Sequence, residues 1–175
     1  MEQPITTTST KGVVIALILI VISLVAYFLD MKSNGPLQWL GYIVFIGGII
    51  WSVMLYGKQI NHNSTFGNYF AHGFKVGALV TAIMIIFTVA FVFIFPDIKE
   101  KAIDEARKSM ESKNNLTQEQ ITASLDITRK FFMVFLVGFT LLGYLFFGAL
   151  AALIGAGVTK KEPNNFAGDV NQIGQ

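Results

Sequence analysis

The sequence contains no cysteine in 175 residues. That excludes a disulfide, a thiolate metal site, palmitoylation and a lipid-modified cysteine anchor. Charge is scarce as well: Asp, Glu, Lys and Arg make up 14% of the chain, against about a quarter in an average soluble domain. A formal net charge of +2, shared along the chain, leaves no basic patch for nucleic acid. Glu2 excludes N-myristoylation. His62 and His72 are the only histidines; ten residues apart and without neighbouring acids, they lack the spacing of a metal pair and read as interfacial polar residues. Ser-x-x-Lys, His-Glu-x-x-His and a glycine-rich phosphate loop are all missing. The expectation is therefore no catalytic residue, no metal, no cofactor and no enzymatic activity.

What is there is grease, in four blocks. Residues 12–29, 36–57, 76–95 and 131–158 contain no Asp, Glu, Lys, Arg or His, and together they are half the chain. A soluble domain of this size cannot hide four such runs, so each is expected to span a bilayer. Membrane β-strands alternate lipid-facing and lumen-facing residues, and these runs do not. Helices satisfy their backbone hydrogen bonds internally. The first run reads as a retained span, not a cleaved leader: Lys11 is its one preceding cation, Glu2 offsets it, and no small-x-small site precedes Asp30.

The predicted fold is all-α, an integral membrane bundle with helices over about 12–29, 37–57, 76–95 and 131–158. Residues 1–11 read as a short polar lead, with a threonine or serine hydroxyl capping the first helix. The connector 30–35 is short enough to make the first two helices an antiparallel hairpin, and Pro36 suits a helix's first turn. Trp39, Tyr42 and Tyr56 mark the two interfaces of the second span. Phe66, Tyr69, Phe70 and Phe74 recur at helical spacing and predict an interfacial helical turn before the third span, capped by Ser64 or Thr65.

More than half of the charge lies in one place. Residues 97–130 hold seven Lys/Arg and seven Asp/Glu. Asp97/Lys101 and Asp104/Lys108 are i,i+4 pairs in the favourable order. Ile98, Ala102, Ala106 and Met110 form a thin apolar stripe that Asn114-Asn115 interrupts. Thr117-Gln118-Glu119-Gln120 reads as a capping box. Ile121 and Leu125 then carry a second stripe toward the fourth span. The segment is expected to be an extramembrane hairpin of two amphipathic helices whose stripes, at Ile98, Ala102, Ala106, Met110, Ile121 and Leu125, offer a surface to a protein partner. The stretch 1–161 is thus one membrane domain, and 162–175 a disordered polar tail.

The order of parts resembles a family of small bacterial membrane proteins known as Domain of Unknown Function 4199. The resemblance rests on Thr65-Phe66-Gly67 leading through Gly73-Phe74-Lys75-Val76-Gly77 into the third span, and on Pro96-Asp97 after it. Leu116-Thr117-Gln118-Glu119-Gln120-Ile121 before the fourth span and the lysine stop at 160–161 complete it, over roughly residues 12–161. It implies a four-helix protein of the inner membrane in Bacteroidetes-type bacteria, and it supplies no activity and no catalytic residues.

Small residues recur at spacings of four: Gly73, Gly77 and Thr81 in the third span, Gly148, Ala152 and Ala156 in the fourth. Such faces let helices approach closely in lipid. They are expected to pack within this bundle, with self-association or a partner as the alternative. No ionisable residue lies inside a span, which argues against a proton relay or a charged-substrate carrier. Two functional readings remain: a non-catalytic membrane protein that engages a protein partner through the hairpin or the small-residue faces, or a subunit of a small oligomeric pore or transporter. Lysine and arginine number five on the side of the termini and eight on the other, a count that favours the hairpin inside. The terminal Lys160-Lys161 look like cytoplasmic anchors and tip the expectation to termini inside.

Overall fold

The computed structural model describes residues 7–29, 36–112 and 116–159. The connector 30–35, the Asn114-Asn115 break, the lysine stop at 160–161 and the tail lie outside them. Six helices follow in order: α1 (Thr8–Phe28), α2 (Pro36–Gln59), α3 (Phe66–Ile94), α4 (Asp97–Glu111), α5 (Gln118–Lys130) and α6 (Phe132–Val158). No strand occurs among the described residues. Four of the helices, α1, α2, α3 and α6, are long and apolar enough to cross a membrane. The protein is an all-α bundle and a multi-pass membrane protein.

Each helix boundary has a local cause. The Thr7 side chain accepts from the Thr10 N–H and starts α1 four residues ahead of the apolar run, so Thr8–Lys11 is a helical turn and not part of a polar lead. At the end of α2, the His62 N–H bonds the Gly57 carbonyl at 2.8 Å and the Asn61 N–H bonds that of Lys58 at 3.2 Å. This is a Schellman ending, with Asn61 at φ 52° in the left-handed position that Asn tolerates better than most residues. Thr65 then caps α3 through the Asn68 N–H. The predicted interfacial turn is continuous with the third span, giving a 29-residue helix of about 43 Å, longer than a hydrocarbon core of about 30 Å. Pro96, which has no N–H to continue the ladder, ends it. The Thr117/Gln120 capping box at the start of α5 forms in both directions. Only Phe131 separates α5 from α6, and the Phe135 N–H still reaches its carbonyl at 3.0 Å.

In the bundle, α3 packs most extensively on α6 and also on α1 and α2, while α1 and α6 occupy opposite flanks of the α2/α3 pair. The main core joins Ile15, Ala16 and Leu19 of α1 to Phe45 and Ile49 of α2, Val76, Val80 and Met84 of α3, and Ala151 and Ala152 of α6. The termini end is the tight end. A Cβ on Gly73 would stand 2.9 Å from the Ala152 Cβ and 3.1 Å from its Cα, and one on Gly77 would stand 3.5 Å from the Gly148 Cα. Toward the hairpin the contacts loosen: a Cβ on Gly41, Gly138 or Gly143 would meet nothing within 4 Å. Beyond Phe132, the buried residues of α6 all lie from Gly148 onward.

This asymmetry fixes the sign of two matched substitutions. Gly73→Ala should destabilise the bundle by about 1–3 kcal/mol through overpacking. Gly143→Ala, with open space around it and a better helix former in place, should be neutral or stabilising by up to about 1 kcal/mol. Thermal unfolding of the two variants in detergent, followed by circular dichroism, checks this; equal losses would contradict the packing.

Candidate functional site

The predicted small-residue faces meet one another. Gly73 and Gly77 of α3 lie against Ala152 and Gly148 of α6. Thr81 is buried, its hydroxyl donating to the Gly77 carbonyl at 2.8 Å, and Ala156 packs with Val53 and Tyr69. These six residues therefore line contacts inside a single copy of the chain, which occupies them.

The hairpin closes on itself as well. Ile103 of α4 is fully buried against Ile121 and Leu125 of α5, both 2% exposed, with Ala106 and Met110 packed on them. Ile98 and Ala102 are half-buried beside this core. Four of the six residues expected to face a partner, Ala106, Met110, Ile121 and Leu125, thus pack within their own hairpin. The reason is one of economy of exposure: two thin apolar stripes joined by a short connector bury each other before they can bury anything else. The outward surface is mostly polar, with Leu116 and Ile127 also exposed. Arg129 of α5 reaches Glu100 of α4 at 3.4 Å, and the Asp97/Lys101 pair forms at 3.4 Å. Both pairs are exposed, so each contributes little. No ion pair joins Asp104 to Lys108 among the described residues.

Where the hairpin meets the bundle, the contacts are more specific. The Tyr27 hydroxyl donates to the Asp97 carboxylate, 3.1 Å from Oδ1 and 3.3 Å from Oδ2. Its ring packs on Phe91 and Phe95 with centroids 5.1 and 4.7 Å away, and Lys101 lies over the same ring at 5.7 Å. One tyrosine on α1 thereby holds the first turn of α4.

The opposite end of the bundle gathers polar groups from three helices. Lys11 of α1 is 3% exposed, its Nζ 3.2 Å from Gln59 Oε1 and 3.5 Å from the Ser52 carbonyl. His72 of α3 is 8% exposed and stacks on Tyr56 at 4.2 Å with the rings 4° from parallel. Its Nδ1 lies 3.4 Å from the Thr8 hydroxyl and its Nε2 3.3 Å from that of Ser52. Nearby, Tyr69 is almost wholly buried, and its hydroxyl and the His62 Nδ1 find no hydrogen-bond partner among the described residues. His72 is thus buried between helices, a placement the sequence reading did not give. The signal was in its phase: His72 keeps the 3- and 4-residue spacing of Tyr69, Val76 and Val80, all buried. No group of three or more His, Asp or Glu able to hold a metal occurs among the described residues.

The hairpin core gives a direct expectation. Ile103→Ala should cost about 2–5 kcal/mol of local stability. Amide hydrogen exchange should then quicken across 97–130 while the protection of α3 and α6 near Gly77 and Gly148 is unchanged.

Among curated proteins and solved structures, nothing matches this chain. A family model does: that described as protein of unknown function (DUF4199) matches residues 10–161, from the buried turn at Lys11 through all six helices to the lysine stop. The chain belongs to the DUF4199 family.

Proposed function

We propose that this protein is a non-catalytic membrane component of the bacterial inner membrane whose extramembrane hairpin docks a protein partner. The observation that carries the reading is the closed hairpin core at Ile103, Ile121 and Leu125. A charged loop without such a core would be a solvated linker. This one is a folded platform outside the bilayer, tied to α1 through Tyr27 and Asp97. With most of its apolar residues turned inward, Leu116 and Ile127 excepted, it would recognise a partner chiefly through charges such as Asp104, Arg107 and Lys108, all exposed. Electrostatic complementarity of that kind sets partner choice and encounter rate. On this reading the termini are cytoplasmic and the hairpin faces the other side.

The test is in vivo crosslinking in the native membrane, with reactive side chains placed at exposed hairpin positions. Arg107→Glu with Lys108→Glu should weaken the captured complex about tenfold or more while leaving the protein's own level unchanged. A complex that survives both this reversal and deletion of 97–130 would reject the proposal.

A further inference from the structure

We draw no further inference here: the strongest candidate, the exposed apolar surface patch at Ile127, Phe131 and Val134 where α5 runs into α6, is an unpartnered helix face, and nothing in the structure shows what covers it.

Discussion

The contact on which the rest depends is the close approach of α3 to α6. Within a bilayer, apolar side chains gain nothing from leaving water, so helix association rests on van der Waals contact and on the few polar bonds within reach. Contact of that kind needs backbones near each other, and Gly73, Gly77 and Gly148 permit it. A methyl group on Gly73 would meet the Ala152 backbone. With α3 and α6 held there, α2 seats Val53 and Ile50 against Gly155, and α1 lays Ile15 and Leu19 against the remaining flank. The opposite half has no equivalent. Its glycines face open space, its large side chains face outward, and what holds it together is the aromatic group around Tyr27, Phe91 and Phe95.

Tightness at one end explains where polar groups can be buried. Lys11, Ser52, Tyr69 and His72 all lie where the backbones are closest, so that each has neighbours from other helices within hydrogen-bonding or stacking distance. Hydroxyls without a partner across the bundle turn to their own helix at either end: Ser23 donates to the Leu19 carbonyl at 2.9 Å and Thr159 to that of Gly155 at 2.7 Å. The polar cluster and the small-residue contact are therefore one structural feature seen from two sides. A larger residue at Gly73 would separate the helices that supply Lys11 and His72 with their neighbours.

How much of this could be read from the sequence follows from which signals are local. The four spans were legible because absence of charge over 18 or more residues has one solution in a chain of this size. The Thr117/Gln120 capping box was legible because both halves of it lie within four residues. The apolar stripe of α4 was legible only in part. Steps of four residues advance about 40° per step beyond a full turn, so the row Ile98, Ala102, Ala106, Met110 winds off the buried face. Ile103, three residues before Ala106 and seven before Met110, lies nearer its centre and is the residue fully buried. The burial of Lys11 was not legible, for a different reason. A lysine at the edge of an apolar run is normally an anchor in the headgroups, and only the placement of Gln59 and Ser52 from α2 turns it inward.

The two ends of the molecule consequently face different physical problems. At the hairpin end, most apolar groups of α4 and α5 are consumed by each other, and the charges are paired or solvated, so the surface is largely balanced as it stands. Any specificity there must come from the arrangement of charge, which is cheap to change and weak per contact. At the termini end the balance is incomplete: a buried cation has neutral neighbours, and a tyrosine hydroxyl and a histidine nitrogen are buried without partners among the described residues. Buried polar groups left unsatisfied are rare because each costs stability that a folded protein has little of to spare. Such a concentration at one end, in a helix bundle whose interior is otherwise apolar, sets that end apart from the self-satisfied hairpin.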